Sequence, residues 1–284
     1  MKGGFFSYHA IKMQENRLGI DIGGTKLLLL DHDNPKGKRL PTGSLFGIND
    51  LQEILHTHLL TSSKKITGIG IAFPGLVRNG NEVVLCGDVP YLNGLRITDL
   101  QLPDLPIHFL NDVKAATKRA YLCYGGKMLV TVMVGTGIGM GIYVDGKPMD
   151  GAFGWAGELG SVVFPTEYGL KSLDELSGGK GILERLSLSA IQISEQAALG
   201  DQTITKALEV AGTFLGLGLA MVVNILNPDV LVLGGGTLNF PKYRNAAVAS
   251  LKAHALPPLF AQCNLIFPAD ASLLAAEGAK MPLD

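Results

Sequence analysis

The sequence predicts an α/β protein of two domains, and three observations support this prediction. The chain has 284 residues, and single hydrophobic cores stop growing at about 250–300 residues, so a second domain is expected. Short apolar runs typical of buried strands are interspersed with segments of helical periodicity. Two glycine-rich turns, each between strand-like runs, repeat one pattern along the chain. Such an echo is what a duplicated, two-lobed fold would leave.

The first glycine turn lies in the stretch LGIDIGGTKLLLLD. Alternating apolar residues before it and an apolar run after it predict two strands, and Gly23 and Gly24 form a hairpin signal. A purely structural hairpin needs only the glycines, so Asp21, Thr25 and Lys26 are the informative residues. Glycines let backbone N–H groups approach an anion, a hydroxyl adds a donor, and a carboxylate can orient a hydrated Mg²⁺. The lysine carries the least weight, because a lysine beside a turn is usually just solvated.

The second glycine turn lies in MLVTVMVGTGIGMGIYVDGKPM, where strands are predicted on both sides of Gly135, Thr136 and Gly137. Asp145 and Gly146 predict a further hairpin. The glycine spacing is not G-x-G-x-x-G and a strand follows it, so a dinucleotide-binding fold is poorly supported. A G-x-x-x-x-G-K match is followed by proline instead of Ser or Thr and lies in a hairpin, so it is not a P-loop.

A strand-to-helix junction lies in PIHFLNDVKAATKRAYLCYGG. A strand is predicted over 107–110 and a helix over 113–124, with Val113, Ala116, Ala120 and Cys123 near one face. At the junction, residue 111 is a good N-cap and the acid at 112 suits the helix dipole. A capping role alone would explain this Asn-Asp pair, but the glycine turns on either side in sequence favour a functional role.

A third glycine cluster ends the stretch NPDVLVLGGGTL, where Val230 to Leu233 predict a buried strand. Glycines at the end of a strand expose backbone against which a flat or anionic group can lie. A plain strand-to-helix turn is an equally good interpretation of this cluster taken alone.

Taken in order, these motifs resemble the two-lobed actin-like ATPase fold (ribonuclease H-like) of sugar kinases, and more narrowly the ROK family of repressors, open reading frames and kinases. The matching stretches are GIDIGGTK, GIGIAFPGLV, FLNDVKAA, VMVGTGIGMGIYVDGK, GWAGELGSV, LSGGKGI and LVLGGG. They extend from about Gly19 to Gly236. The resemblance implies that the protein transfers the γ-phosphate of ATP, with Mg²⁺, to a sugar hydroxyl.

The resemblance also implies a role for each matching residue. Asp112 would be the base that accepts the hydroxyl proton. The sugar would be bound by Asn111, the backbone at Gly75, Asn93 and Glu158. The phosphates would be bound by Gly23, Gly24, Thr25, Lys26, Gly135, Thr136 and Gly137, with Asp21 orienting Mg²⁺ indirectly and Gly235 and Gly236 flanking the adenosine.

The chain departs from the family pattern at the zinc site. Relatives commonly follow the sugar-binding glutamate with Gly-His and later show a C-x-C-G-x-x-G-C run, whereas here Ser161 takes the histidine position and PTEYGLKSLDELSGG lacks cysteine. The cysteines lack metal-ligand spacing, so no zinc is expected; they are Cys86, Cys123 and Cys263. Asp174 or Glu175 could supply an additional acidic sugar contact, although surface acids are the simpler interpretation.

The sequence therefore predicts a hexose kinase, with glucose as the first choice of substrate. A non-catalytic sugar- or nucleotide-binding protein of the same fold remains open, as do polyphosphate as donor and an N-acetylated hexosamine as acceptor. A sugar-responsive repressor is disfavoured, because only about sixteen residues precede Arg17, too few for a helix-turn-helix domain. A homodimer is usual among relatives.

Composition fits a cytoplasmic enzyme that acts on small molecules. A net charge of −1 gives no electrostatic case for nucleic acid. The unpaired cysteines suit a reducing compartment. The chain start lacks the apolar core of a secretory signal. In the most membrane-like stretch, 210–228, the spacing of Phe214, Leu217, Met221 and Ile225 predicts a buried core helix, not a span.

The predicted organisation has an extension at 1–16 and two lobes. The small lobe covers 17–112 with a returning C-terminal helix at 268–284, and the large lobe covers 113–267.

Overall fold

The computed structural model describes residues 16–282, which form two compact units. The first unit runs to Arg119 and resumes at Leu273, and the second covers Ala120–Ser272. The division thus falls inside a helix that begins at Asp112. The extension predicted for 1–16 lies outside the described residues except for Asn16.

The first unit is built on a five-stranded sheet with the order β3-β2-β1-β4-β7. Its elements are β1 (Arg17–Ile22), β2 (Lys26–Leu30), β3 (Lys38–Pro41), α1 (Ile48–Thr61), β4 (Gly68–Phe73), β5 (Leu76–Arg78), β6 (Glu82–Leu85), β7 (Ile107–Asn111), α2 (Asp112–Tyr124) and the returning α9 (Leu274–Lys280), with 3₁₀ turns at Pro90–Leu92 and Ile97–Asp99.

The second unit is built on a sheet with the order β10-β9-β8-β13-β14. Its elements are β8 (Met128–Val134), β9 (Ile138–Val144), β10 (Lys147–Pro148), β11 (Val163–Thr166), β12 (Gly169–Ser172), α3 (Leu173–Ser177), α4 (Gly179–Leu186), α5 (Ala190–Ala198), α6 (Gln202–Leu226), β13 (Val230–Gly234), α7 (Tyr243–His254), α8 (Pro257–Phe260) and β14 (Asn264–Ile266), with 3₁₀ turns at Leu159–Ser161, Gly236–Asn239 and Ala271–Leu273.

The two sheets share one topology. In each, three strands form an antiparallel meander, and the first of these pairs in parallel with a fourth strand that pairs in parallel with a fifth. The two glycine turns therefore occupy equivalent positions, between the first and second strands of each meander. This repeat explains the sequence echo as a duplicated topology.

Local sequence accounts for several of these elements. The β9–β10 hairpin turns at Asp145 and Gly146, whose φ angles are 48° and 83°. Positive φ at both central residues is typical of a type I′ turn, which favours an Asp-Gly pair. In α2, Val113, Ala116 and Ala120 are buried as predicted. Cys123 is exposed, because the last turn of the helix extends beyond the core.

The longest helix, α6, is a core helix as predicted, but of the four residues that predicted it Phe214 and Leu217 are half-buried against the core and two are exposed. Its fully buried residues include Leu215, Leu219 and Val223. Met221 is 39% exposed and Ile225 is 77% exposed, on the opposite side. Both faces are apolar, so the periodicity of the sequence could not identify the one that meets the sheet. Within 16–282, α6 is also long and apolar enough for a membrane span, and 56% of that window is buried inside the protein.

The close approach of α9 to the first sheet depends on glycine. The helix packs against β1 and β4, and a Cβ atom at Gly70 would overlap the carbonyl oxygen of Ala279. The backbone of β4 and the end of α9 are therefore in direct contact. Any larger residue at position 70 has to push the helix away.

Gly70→Ala should destabilise the protein by about 1–3 kcal/mol, the usual cost of an overpacked core site. The matched control is Gly87→Ala, because a Cβ at Gly87 meets nothing within 4 Å. Urea unfolding followed by circular dichroism measures both free energies. Equal losses in the two variants would contradict the steric argument.

Candidate active site

Two acidic residues of the first unit, Asp21 and Asp112, lie at the carboxyl ends of parallel strands. In the sheet, β4 lies between β1 and β7. Asp21 is near the end of β1, Gly75 follows β4, and Asn111 and Asp112 stand where β7 passes into α2. Ligands of α/β sheets bind at the carboxyl ends of the strands. The order of the strands therefore brings these residues to one edge.

The Asn111 side chain holds the junction together. Its Oδ1 accepts a hydrogen bond from the Lys114 N–H at 3.0 Å, as the predicted N-cap requires. Its Nδ2 donates to the Gly75 carbonyl at 2.9 Å and to Oδ1 of Asp112 at 3.0 Å. Asn111 therefore orients the carboxylate of Asp112 while capping α2. An amide oxygen has a second lone pair, which stays available to a hydroxyl donor.

Burial raises the pKa of Asp112 to about 7. The charges of Asp21 and Asp88 raise the pKa further, while the hydrogen bond from the Val113 N–H, 2.8 Å long, opposes the rise. Asp112 is nevertheless only half-buried by surface area, so water or a ligand can reach it. A carboxylate that titrates near neutral pH in an accessible position is suited to accepting a proton.

Asp21 is the second perturbed acid of this edge. Burial raises its pKa to about 6, and the charge of Lys26 opposes this rise. Lys26 itself is exposed at the start of β2. Asp21 and Asp112 therefore disfavour each other's ionisation, and a cation placed beside them would favour both charged forms.

The first glycine turn presents unpartnered N–H groups. Gly23 donates to the Lys26 carbonyl at 2.9 Å, and the Thr42 hydroxyl donates to the Gly23 carbonyl at 2.6 Å. Within 16–282, the N–H groups of Gly24 and Thr25 donate to no protein group. Two adjacent backbone donors without partners form an anion-binding concavity.

The second glycine turn repeats this arrangement in the other unit. The Thr237 hydroxyl donates to the Gly135 carbonyl at 2.9 Å, as Thr42 does in the first turn. The N–H groups of Gly179 and Lys180 at the start of α4 also donate to carbonyls of the turn, each at 2.9 Å. In the described part of the chain, the N–H groups of residues 136 and 137 have no protein acceptor. Both turns can therefore hold phosphate oxygens.

The remaining predicted ligand contacts, to the sugar and to the adenosine, lie in loops and turns. Asn93 accepts a hydrogen bond from the Cys86 N–H through Oδ1 at 2.6 Å, which leaves its amide nitrogen for a ligand. Glu158 is an exposed residue of the second unit, directly before the 3₁₀ turn at Leu159–Ser161. Gly235 and Gly236 follow β13, beside the turn that Thr237 bonds.

The structure gives the two acids of α3 different partners. Glu175 accepts from the Ser172 N–H and from Lys171, each at 2.8 Å, and the Lys171 bond holds the pKa of this exposed carboxyl at about 2. It completes the capping box of α3. Asp174 instead accepts the Ile138 N–H at 2.6 Å, directly after the second glycine turn. Both carboxylates accept their hydrogen bonds from groups of the protein itself.

The sequence did not reveal Thr42, Thr237 or Asp88. The two threonines act on turns that lie 19 and 102 residues away in the chain, and no local motif marks them. Asp88 is exposed, and its Cβ would lie 3.0 Å from a Cβ at Gly24. Its charge acts on Asp112. A lone acid in a loop carries no signal of such a role.

Asp21 and Asp112 are the carboxylates of the first unit that could hold a hydrated Mg²⁺. In the part of the chain that the structure describes, no three His, Cys, Asp or Glu side chains come together as a metal site. Mg²⁺ commonly keeps several waters and is bound by one or two carboxylates together with substrate phosphates. The repulsion between Asp21 and Asp112 and the unpartnered N–H groups of the first turn suit such an ion and its phosphates.

Comparisons with known proteins identify the family of this chain. A sequence model of the ROK family matches residues 17–279. The chain belongs to the ROK family. An N-acetyl-D-glucosamine kinase of Pectobacterium carotovorum is 26% identical over 284 residues, covering 84% of this chain and 90% of the kinase. A xylose repressor of Caldicellulosiruptor bescii is 28% identical, covering 60% of this chain and 50% of the repressor.

A solved ROK family structure has the same fold. The glucokinase of Streptomyces griseus, in complex with glucose and AMPPNP, superposes with a TM-score of 0.77 at 18% identity, covering 93% of this chain and 98% of that one. The predicted actin-like ATPase fold is confirmed. This protein is thus a ROK protein of the sugar kinase type in sequence and fold.

The carboxyl carbon of Asp112 should titrate with a pKa of about 7 in the free protein, as measured by carbon NMR. Asp21→Asn should lower that pKa, because it removes a neighbouring negative charge. Asp104→Asn is the matched control, since Asp104 is exposed and is not among the groups that act on Asp112. An unchanged pKa in Asp21→Asn would refute the electrostatic coupling.

Proposed function

We propose that this protein is an ATP-dependent sugar kinase that phosphorylates a hydroxyl group of a hexose, with glucose as the first choice. The observation that carries the proposal is the carboxylate of Asp112. It is half-buried, its pKa is raised to about 7, and it lies in the same unit as a glycine turn with unpartnered N–H groups. Phosphoryl transfer needs few other groups, because it depends mainly on positioning and charge neutralisation.

In the proposed reaction Asp112 accepts the proton of the attacking sugar hydroxyl. A base works best when its pKa lies near the operating pH, and a positioned base contributes about 10²–10⁴-fold. The hydrogen bond from Asn111 orients this carboxylate. The second lone pairs of the Asn111 amide oxygen and the Gly75 carbonyl accept sugar hydroxyls, and Asn93 and Glu158 add contacts of the kind that sugars need.

The nucleotide is held by backbone groups in this proposal. The N–H groups of the turns at 23–25 and 135–137 bind phosphate oxygens, and Lys26 adds positive charge. Gly235 and Gly236 flank the adenosine. Asp21 would hold Mg²⁺ through a coordinated water. When bound, the ion neutralises charge that develops on the phosphate oxygens.

A coupled assay of ADP release tests this function directly. The panel contains glucose, fructose, mannose and N-acetylated hexosamines, each with and without Mg²⁺. N-acetylglucosamine belongs in it because a relative carries that activity in its name. Polyphosphate replaces ATP in a second series, with sugar phosphate as the readout. Turnover of one sugar with ATP and Mg²⁺ supports the proposal. Binding of sugar and nucleotide without turnover would favour a non-catalytic binding protein.

Asp112→Asn should reduce turnover at least about 10²-fold, because the base is lost. Binding of ATP and sugar should change little, since the amide keeps the size and most hydrogen bonds of the acid. Steady-state kinetics and isothermal titration calorimetry measure the two effects. Asp104→Asn removes an exposed carboxylate as the control. Turnover of Asp112→Asn at the wild-type rate would exclude Asp112 as the base.

We further propose that the protein is a cytoplasmic homodimer that acts on small molecules and binds neither nucleic acid nor membranes. An outer stripe of α6, comprising Val210, Met221 and Ile225, supports the dimer, while the neighbouring Phe214 and Leu217 are half-buried against the core. It is apolar and lies on a stretch without any charged residue from 210 to 226. Charge depletion is typical of the cores of homodimer interfaces. A second copy of the same stripe is complementary in an isologous contact.

Ile225→Glu should convert the dimer to a monomer, because it places a charge in the apolar contact. Ile191→Glu is the matched control, since Ile191 is 71% exposed on α5 and Ile225 is 77% exposed on α6. Sedimentation velocity measures both. A monomeric wild type, or a dimer that both variants retain, would exclude this interface.

A further inference from the structure

The carboxylate of Asp174 lies between two segments of the second unit that the proposed function uses. Its Oδ1 accepts the N–H of Ile138, the first residue after the second glycine turn, at 2.6 Å. A Cβ atom at Gly137 would lie 3.3 Å from the same oxygen. Asp174 therefore fixes the end of the turn from which strand β9 begins.

On its other side the carboxylate packs against the segment that carries Glu158. The Cα of Gly160 faces Asp174, and a Cβ there would overlap the carboxylate oxygens. Gly160 lies in the 3₁₀ turn directly after Glu158. The absence of a side chain at Gly160 therefore lets one carboxylate contact both segments.

The remaining supports of the glycine turn act on its carbonyl groups. The Gly179 and Lys180 N–H groups and the Thr237 hydroxyl all donate to carbonyl oxygens of the turn. Asp174 is the side chain that accepts from an N–H at this turn, so it takes the Ile138 donor and leaves those of 136 and 137 to a ligand. The negative charge of Asp174 is electrostatically unfavourable beside a bound phosphate. Any contribution of Asp174 to phosphate binding therefore comes from the contacts that fix the turn.

We propose that Asp174 is a positioning residue that joins the second glycine turn to the Glu158 segment and so couples the binding of nucleotide and sugar. It touches neither ligand. Its oxygen sets the orientation of the turn, and its contact with Gly160 sets the position of Glu158. The inference rests on the proposed function for its ligands and deepens it by connecting two binding segments of one unit.

Calorimetry with Mg²⁺-AMPPNP and with glucose tests the inference. Asp174→Ala should weaken binding of each at least about tenfold, since a hydrogen bond to a charged group is lost. Asp174→Asn keeps an acceptor oxygen and removes the charge, so it should bind AMPPNP as tightly as the wild type or more tightly. Gly160→Ala should weaken binding as well, and adding it to Asp174→Ala should cause little further loss, because both changes break one contact.

A control variant and the Tm of each variant distinguish a positioning role of Asp174 from a general loss of stability. They also distinguish failure of this inference from failure of the proposed function. Glu184→Ala removes an exposed acid on the neighbouring α4 and should leave both affinities unchanged. The Tm of each variant without ligand shows whether affinity falls only because the fold weakens. Unchanged affinities in Asp174→Ala, with a wild type that binds both ligands, would overturn the inference and leave the kinase proposal intact.

Loss of only the nucleotide affinity would overturn the coupling to sugar. If the wild type binds neither ligand, the kinase proposal fails. Amide hydrogen exchange of Ile138 then decides the inference. Protection that is equal in Asp174→Ala and the wild type would refute the contact with Ile138. Protection lost in Asp174→Ala but kept in Asp174→Asn would retain that contact while the coupling of the two ligands fails with the kinase proposal.

Discussion

The chemistry open to the first unit depends on two desolvated carboxylates at the carboxyl ends of its parallel strands. Burial raises the pKa of both Asp21 and Asp112, and the charge of Asp21 raises the pKa of Asp112 further. Among residues 16–282, the cation that acts on Asp21 is Lys26, which is exposed, and no arginine pairs with either acid. A cation that arrives from outside would favour the charged forms of both. The edge is therefore suited to chemistry in which a metal ion enters with its substrate and a carboxylate accepts a proton.

The two glycine turns share a second feature, a threonine hydroxyl from a distant segment that fixes the turn. In each turn a threonine hydroxyl, from Thr42 or Thr237, bonds the carbonyl of the first glycine. A carbonyl held in this way keeps its oxygen directed at the protein, so the peptide N–H groups that follow are left without protein acceptors. The same device appears at equivalent positions of two sheets with one topology. Because the same hydrogen bond occurs in both units, we infer that this type of turn needs it.

The sequence predicted what depends on local patterns and missed what depends on distant partners. Strands beside the glycine turns and the Asn111 cap of α2 follow from residues a few positions apart, and the structure contains both. The roles of Thr42 and Thr237 depend on tertiary contacts that no local signal marks. Met221 and Ile225 of α6 were predicted in the core but are exposed, because a helix that is apolar all round has no periodic contrast. The hydrogen bond from the Ile138 N–H to Asp174 likewise joins residues 36 positions apart, and no local pattern predicted it.

The duplicated topology also explains why the units differ in chemistry. Asp21 lies two residues before the first glycine of its turn, and the residue two before Gly135 in the second unit is Met133. The second turn therefore has no carboxylate at the position that Asp21 occupies beside the first. After the fifth strand, β7 leads to Asp112, whereas β14 leads to Phe267. Acids at these two positions therefore occur in one copy of the topology only. Under the proposed function, this asymmetry assigns the proton transfer to the first unit and leaves backbone N–H groups of the second unit for the nucleotide.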